Sequence, residues 1–288
     1  MKDRRPPPSV LMNRPILSIL LLAAPAIAQT VTVDWLLKMQ REDPALVILD
    51  ARPEADYAKG HIPGALPINT WDFLIDSAPA GEAPFHQWLT DTFGKLGLTP
   101  GDRLVVYEDR LGIRASRAFW LLWYAGQTKV GMLEGGLEAW RAAGRPVVTD
   151  PTPPRSASRY KLRPQKKWLS TARDVAAVSQ DRKTVILDVR ARDEFDGKSG
   201  NTDCARQGAI PGAVWVEWTD FLEADRKTLR RPEGIGLMLI EKGITPDKQI
   251  ITYCHRGARS AMVWAALDNL GYPKVKNYAG SWHDWASK

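Results

Sequence analysis

One of the two cysteines, Cys254, lies between a β-branched run and a helical pattern in the segment 250–260. Ligands of open parallel sheets bind beyond the carboxyl ends of the strands, so a side chain at such a corner is well placed for chemistry. If the loop wraps around the sulfur, its amides and the start of the helix favour an anion there. His255, Arg256 and Arg259 add donors and positive charge. The pattern therefore predicts a thiolate nucleophile.

The two halves of the chain repeat the same short motifs in the same order, which indicates a tandem duplication. The pairs are VILDAR at 47–52 and VILDVR at 185–190, GHIPGA at 60–65 and GAIPGA at 208–213, and GLTP at 97–100 and GITP at 243–246. From Gly112 and Gly257 onward the offset stays at 145 residues, as between Trp140 and Trp285. At that offset the partner of Cys254 is Asp109, whose carboxylate cannot act as a thiolate nucleophile. The first copy is therefore predicted to be inactive.

Short β-branched runs alternate with longer helical stretches in each copy. The runs at 47–49, 104–107, 185–187 and 249–253 predict buried strands, and the helices predicted at 114–124 and 259–270 should end at Gly126 and Gly271. This alternation predicts an α/β fold with two domains, each a central parallel sheet flanked by helices on both faces.

The chain is predicted to have four parts. A basic stretch, an apolar run at 16–24 and the sequence Ala26-Ile27-Ala28 identify residues 1–28 as a cleavable signal peptide. An N-terminal domain at 29–148 and a C-terminal domain at 167–288 flank a linker at 149–166 that contains three prolines at 151–154. The mature protein is thus expected to be periplasmic or secreted, with no attachment to a membrane.

Charge and composition exclude some classes of partner. The 288-residue chain has a net charge of +7, and residues 1–28 carry four basic and one acidic side chain, which leaves +4 after cleavage. Without a dense basic run or a recognition motif, nucleic acid is not expected as a partner. Two cysteines are too few for a disulfide scaffold, and no spacing of His, Cys and Asp indicates a metal site.

Several linked motifs resemble the tandem-domain rhodanese family, which includes thiosulfate and 3-mercaptopyruvate sulfurtransferases. They are the paired Asp-x-Arg motifs at 50–52 and 188–190, the two Ile-Pro-Gly-Ala turns, the loop 254–259 and the closing GSWHDW at 280–285. The resemblance implies a persulfide on Cys254, no cofactor, and an inactive first domain that walls the cleft. It also favours sulfur transfer over phosphatase chemistry, because here the spacing from Cys254 to Arg259 is Cys-x4-Arg and not Cys-x5-Arg.

The resemblance implies a substrate site around the loop. Its predicted members are His255, Arg256, Gly257, Ala258, Arg259, Ser260 and Arg190. Arg190 follows a strand end where the family often has a substrate-binding arginine, and the alternative is a salt bridge with a neighbouring carboxylate. For Cys204 the alternatives are a resolving thiol and a bystander on a polar loop, and the bystander is preferred.

The identity of the sulfur donor is predicted from two residue choices. Mercaptopyruvate enzymes and the animal thiosulfate enzymes carry a second arginine where this chain has Glu194, and the loops of mercaptopyruvate enzymes are of a Gly-Ser-Gly type rather than basic. A small anionic donor, thiosulfate, is therefore expected, with cyanide or a thiol, including a protein thiol, as acceptor. A 3-mercaptopyruvate sulfurtransferase and a non-enzymatic periplasmic sulfur carrier or binding module remain the alternatives.

Overall fold

Two five-stranded sheets, one in each half of the chain, form the framework, and every strand pairing is parallel in the part of the chain that is described. The computed structural model describes residues 30–71, 82–178, 181–200, 202–225 and 227–288. The predicted signal peptide, residues 1–28, lies outside them.

The first sheet has the strand order β1-β5-β4-β2-β3. Its strands are β1 Thr30–Val31, β2 Leu46–Asp50, β3 Ala65–Pro67, β4 Arg103–Tyr107 and β5 Val130–Leu133. The helices of this half are α1 Val33–Glu42, α2 Glu54–Ala58, α3 Glu82–Lys95, α4 Ile113–Tyr124 and α5 Gly136–Ala142.

The second sheet repeats this topology with the order β6-β10-β9-β7-β8. Its strands are β6 Leu169–Ser170, β7 Thr184–Asp188, β8 Val214–Trp215, β9 Gln249–Tyr253 and β10 Val275–Tyr278. The helices are α6 Ala172–Val178, α7 Arg192–Phe195, α8 Pro232–Glu241, α9 Ala258–Asn269 and α10 Ser281–Ala286, with 3-10 turns at Lys166–Trp168 and Trp218–Phe221.

Both faces of each sheet are covered, because successive residues of a strand point to opposite sides. In β4, Leu104 and Val106 join one apolar core while Val105 and Tyr107 join another. The predicted α/β class and the four predicted strands are confirmed. The two predicted helices also end as expected, with Gly126 at φ 96° and Gly271 at φ 79°.

The two halves meet along α4 and α9, which are buried over most of their length. Aromatic side chains fill this contact: the rings of Phe119 and Trp264 lie 6.5 Å apart, and Trp168 stacks edge-on between Trp123 and Trp264. One apolar core runs through both halves. An extensive apolar contact of this kind restrains relative motion of the two domains.

The proline-rich stretch between the sheets packs along the first half. Residues 149–165, all of which are described, contain neither helix nor strand. Arg155 forms two hydrogen bonds with Asp102, at 2.9 and 3.0 Å, and the amide of Ser158 donates to the Gly94 carbonyl at 2.9 Å. In the described residues, no helix combines the length and the apolar character needed to cross a bilayer.

Candidate active site

Cys254 is the first residue after β9, and the segment that follows β10 holds its backbone in place. The amide of Trp282 donates to the Cys254 carbonyl at 2.9 Å, and the amide of His283 donates to the His255 carbonyl at 3.0 Å. The Cys254 amide donates in turn to the Ser281 hydroxyl at 3.1 Å. The closing motif at 280–285 thus fixes the loop that carries the thiol.

The Cys254 sulfur lies inside a turn of the loop, where the Gly257 amide donates to it at 3.1 Å and the Ser260 hydroxyl lies 3.6 Å away. Burial opposes ionisation of this thiol. The positive charge of Arg259, the Ser260 hydroxyl and the amides of Ser260 and Arg256 outweigh burial, so the pKa of Cys254 is lowered. This is the anion-stabilising turn that the sequence predicts.

Gly257 permits the tight turn. Its φ is 82°, and a Cβ atom at this position would lie 2.4 Å from the carbonyl oxygen of Ala279. A larger residue would be strained by its backbone conformation and would also collide with the segment that holds the loop. Gly257 therefore positions the amide that donates to the sulfur. Any other residue at this position would require the surrounding backbone to move.

A cavity of about 440 Å³ opens above the sulfur. The second half contributes Cys254, His255, Arg256, Ala258 and Arg259, and the first half contributes Trp71 and Ile113. Cys254 is only 1% exposed, but it lies on this cavity and forms no disulfide. A small molecule in the cavity therefore meets the thiol at its floor.

Two arginines of the loop are paired with carboxylates at the cavity wall. Arg259 holds Glu194 through both terminal nitrogens, one at 2.9 Å, and Arg256 bonds to Asp203. Burial of Glu194 opposes ionisation, yet its hydrogen bond with Arg259 lowers the pKa of this carboxyl. The basic loop is thus partly neutralised, and Glu194 stands where the sequence analysis placed it, beside the substrate space.

Arg190, expected at the substrate, lies elsewhere. It is 2% exposed, donates to both carboxylate oxygens of Asp188, and donates to the Gly208 carbonyl at 2.7 Å. Arg52 makes the same bonds to Asp50 and Gly60 in the first half, which has no thiol. The salt-bridge alternative is therefore the one that the structure supports, and Arg190 ties the end of β7 to the Ile-Pro-Gly-Ala turn.

The first-half counterpart of Cys254 is Glu108 and not Asp109, which corrects the assignment from the constant offset. Leu137 donates to the Glu108 carbonyl as Trp282 does to that of Cys254. The loop after β4 has five residues before its helix, whereas the loop after β9 has four. Because of this extra residue, equivalent positions that precede Gly112 are one residue further apart than the constant offset of 145. The predicted absence of a nucleophile stands, because Glu108 is also a carboxylate.

A residue that the sequence analysis missed is Arg117 of α4. It is 2% exposed and donates at 2.8 Å to the Thr70 carbonyl in its own half and at 2.8 Å to the Arg256 carbonyl in the other. Burial lowers the pKa of this guanidinium to about 10. The inactive half therefore holds the active loop directly. A basic residue in the middle of a mostly apolar helix was the available signal.

The rhodanese-like domain family matches residues 32–143 and 171–288, one match on each half. The chain belongs to this family. Curated relatives are a thiosulfate sulfurtransferase of Azotobacter vinelandii, 37% identical over 85% of this chain and 89% of the relative, and one of Pseudomonas aeruginosa, 34% identical with the same coverage. The sulfur carrier protein TtuD of Thermus thermophilus is 30% identical over 89% of this chain and 93% of its own length.

Solved structures with the same fold include an anaerobic ergothioneine biosynthesis enzyme from Chlorobium limicola. Its TM-score is 0.81 at 23% identity, over 90% of this chain and 68% of that one. This structure shows the shared fold, while the family matches on both halves and the curated relatives confirm the predicted membership in the rhodanese family. The roles of the individual loop residues in binding a donor remain predictions.

Proposed function

We propose that this sulfurtransferase takes sulfane sulfur from thiosulfate, carries it as a persulfide on Cys254 and passes it to a thiophilic acceptor such as cyanide or a thiol. The observation that carries the proposal is the Cys254 sulfur at the floor of a cavity, with the Gly257 amide at 3.1 Å and a lowered pKa. Two relatives that are 37% and 34% identical to this chain are named thiosulfate sulfurtransferases.

The reaction is a double displacement at sulfur. The Cys254 thiolate attacks the outer sulfur of thiosulfate, the S–S bond of the donor breaks, and sulfite leaves with the bonding electron pair. The acceptor then attacks the terminal sulfur of the persulfide, and its S–S bond breaks to restore the thiolate. The Gly257 amide stabilises the negative charge that Cys254 carries before and after each transfer.

Glu194 supports thiosulfate over a donor with a carboxylate. It lines the cavity and occupies both terminal nitrogens of Arg259, so that arginine is already paired. A 3-mercaptopyruvate carboxylate in the cavity would therefore find Arg259 already neutralised by Glu194. Arg256 is the other loop cation on the cavity wall, and although it bonds to Asp203, it is the second guanidinium that a dianionic donor would meet.

The test is the production of thiocyanate from thiosulfate and cyanide by the purified chain, with Cys254→Ser as the control. We expect turnover that depends on Cys254 and a larger kcat/KM for thiosulfate than for 3-mercaptopyruvate. Glu194→Gln should narrow the ratio between the two donors. A wide preference of the wild-type enzyme for mercaptopyruvate would refute the assignment of the donor.

A sulfur carrier is the second candidate, because a relative of 30% identity is named a sulfur carrier protein. A carrier needs the same persulfide but discharges it to a partner protein. Mass spectrometry of the chain after incubation with thiosulfate separates the two functions. A persulfide on Cys254 that cyanide removes only in a single turnover supports the carrier, and continuous thiocyanate production supports the enzyme.

Export across the cytoplasmic membrane is part of the same proposal and rests on the sequence of residues 1–28 alone. We expect the mature chain to be recovered outside the cytoplasm with its N-terminus at Gln29. Fractionation of the native host followed by N-terminal sequencing tests this. An unprocessed chain in the cytoplasmic fraction would contradict it.

A further inference from the structure

Four side chains with metal-binding atoms meet beside the active loop. Asp203 and Cys204 lie on the segment that precedes the second Ile-Pro-Gly-Ala turn, while His255 follows the catalytic cysteine and His283 belongs to α10. One atom each of Asp203, Cys204 and His255 can be chosen so that all three lie within 4.8 Å of one another. We propose that these four residues form a binding site for a zinc-like divalent cation at the rim of the catalytic cavity.

The donor atoms lie close enough together for a small tetrahedral site to form after local adjustment. The Cys204 sulfur lies 3.7 Å from Asp203 Oδ1 and 4.0 Å from His255 Nδ1, and His255 Nε2 lies 3.5 Å from the same carboxylate oxygen. Zinc bonds of about 2.3 Å to sulfur and 2.0–2.2 Å to nitrogen or oxygen give tetrahedral edges of about 3.3–3.6 Å. A single cation binds only one of the two imidazole nitrogens, and with one atom from each residue the three donors lie within 4.8 Å of one another, so they have to approach by up to about 1.5 Å to bind.

The chemistry of the donors selects the class of metal. A thiol, imidazole nitrogens and one carboxylate suit zinc and its neighbours, whereas magnesium and calcium prefer sites made of oxygen. Binding would release the Cys204 proton to solvent, because the thiolate is the ligand. His283 is the candidate fourth ligand, with its Nε2 at 3.8 Å from Asp203 Oδ2 and its ring 5.9 Å from that of His255.

Neighbouring residues hold the donors in position. Arg256 bonds to Asp203 Oδ2 and leaves Oδ1 facing the thiol and the imidazole, which is how an outer partner orients a carboxylate ligand. Arg206 fixes the Cys204 segment to α10, because its guanidinium donates to the Trp285 carbonyl while its own carbonyl accepts from the Trp282 indole. Cys204 is thus held against His255 and is not a bystander on a loose loop.

Within the described residues, only the catalytic half carries this set of donors. Eighteen residues separate Arg190 from Gly208, against eight between the equivalent Arg52 and Gly60, so the second half contains ten extra residues here. Asp203 and Cys204 lie within that insertion. The insertion therefore places a thiol and a carboxylate beside His255 and His283. These two donors have no counterpart in the shorter first-half segment.

Titration with Co²⁺ tests the site without any need for turnover, so its outcome is independent of the proposed function. The reduced, chelator-treated full chain should bind one equivalent and develop an intense thiolate-to-cobalt charge-transfer band that excess Zn²⁺ abolishes. Cys204→Ser should remove the band, and His283→Ala should weaken binding at least about tenfold. Cys254→Ser should retain both the band and the affinity.

Two controls make the result decisive. Cys204→Ser in the presence of chelator should keep the wild-type circular dichroism spectrum and thiocyanate production, which shows that loss of the band is not loss of the fold. A wild-type protein without the band overturns the proposal. A band that survives Cys204→Ser and disappears in Cys254→Ser also overturns it, because the cation would then sit on the catalytic sulfur.

Discussion

The loop after β4 and the loop after β9 leave equivalent strands and enter equivalent helices, yet one holds a carboxylate and the other a thiol. Glu108 Oε1 accepts from the amides of Arg114 and Ala115 at 2.8 and 2.9 Å, at the start of α4. The Cys254 sulfur accepts from Gly257 at the start of α9. Both halves therefore keep a turn that presents backbone amides to a side-chain atom, and in the first half a carboxyl fills it.

The frame behind the two loops is the same to within a few tenths of an ångström. The Tyr107 hydroxyl donates to Asp50 and accepts from the Ile62 amide at 3.1 Å, and Tyr253 does the same with Asp188 and with Ile210, also at 3.1 Å. Activity is thus not encoded in the sheet or in its buried ion pairs. It depends on the length of the loop, which differs by one residue between the halves, and on whether a carboxylate oxygen or a sulfur atom lies inside the turn.

The largest expected effect is the loss of turnover in Cys254→Ser, because a hydroxyl at this position is not ionised and is a poor sulfur acceptor. We expect kcat/KM for thiosulfate to fall by roughly 10³-fold or more, as for other covalent nucleophiles. Adding Glu108→Cys to this variant compares the two loops directly, because the thiol then lies in the loop after β4 and not in the loop after β9. The longer loop after β4 should leave the new thiol inactive, and recovery of turnover would show that loop length is unimportant.

The second prediction concerns Arg117, the contact through which the first half holds the active loop. Arg117→Met leaves the carbonyls of Thr70 and Arg256 without their donor, at a cost of about 1–3 kcal/mol each. We expect the free energy of unfolding in urea to fall by about 2–5 kcal/mol. The kcat of the folded enzyme should fall about tenfold as the loop shifts, since each 1.4 kcal/mol corresponds to a factor of ten.

Trp123→Phe is the matched control for Arg117, because Trp123 lies in the same contact between the halves, against Trp168, and does not bond to the loop. It should lower stability and leave kcat unchanged. If Arg117→Met behaves as this control does, Arg117 only stabilises the fold and does not position the loop.

The third prediction uses the partly buried carboxyl of Glu108 in the first loop. Burial raises the pKa of Glu108 to about 7 from an ordinary value of 4.5, although two amides and Arg114 favour its charged form. A raised pKa means that the folded state binds the proton more tightly than the unfolded chain. The stability that Glu108 contributes is therefore complete below about pH 4.5 and is lost as the pH rises to 7, by up to about 3 kcal/mol.

Glu108→Gln removes this titration. The free energy of unfolding, measured in urea between pH 5 and 8, should fall more steeply in the wild type than in the variant. Because the residue lies in the inactive half, kcat for thiosulfate should stay within about twofold of the wild type, a difference of under 0.5 kcal/mol. Identical pH profiles for the two proteins would show that Glu108 is not buried as a titrating acid.

Much of this fold follows from short patterns in the sequence. The β-branched runs became buried strands with only small changes at their ends, because each is too short and too apolar for a surface helix. Cys254 and its turn were predictable because the loop contains its own glycine and its own cations. The assignment of Asp109 failed because the constant offset holds only from Gly112 onward. The loop that precedes Gly112 has one extra residue, which an offset measured further along the chain cannot reveal.

Contacts that join distant parts of the chain were not predictable in the same way. Arg117 and Arg256 are 139 residues apart, and Cys204 and His255 are 51 apart, far beyond the spacing of any local motif. Arg190 was ambiguous because the Asp-x-Arg pattern fits both a substrate contact and an ion pair. Only the identical geometry of Arg52 in the half without a thiol decides between them.

The smallest predicted effect concerns Ser281, the only non-glycine residue with a positive φ in the part of the chain that is described. Its φ is 57°, and its counterpart in the first half is Gly136, with φ 56°. A serine in this conformation costs roughly 1 kcal/mol. Two hydrogen bonds offset this cost, because the Ser281 hydroxyl accepts from the Cys254 amide at 3.1 Å and donates to the Tyr278 carbonyl at 2.7 Å.

Two substitutions at Ser281 separate the strain from the hydroxyl. Ser281→Ala keeps the strain and Ser281→Gly relieves it, while both lose the two hydrogen bonds. The glycine variant should therefore be the more stable by about 1 kcal/mol, with similar losses of kcat/KM in both. Equal stabilities would show that the backbone is not strained. A glycine variant with wild-type kcat/KM would mean that the hydroxyl does not position the loop, and that serine at this position serves no purpose in sulfur transfer.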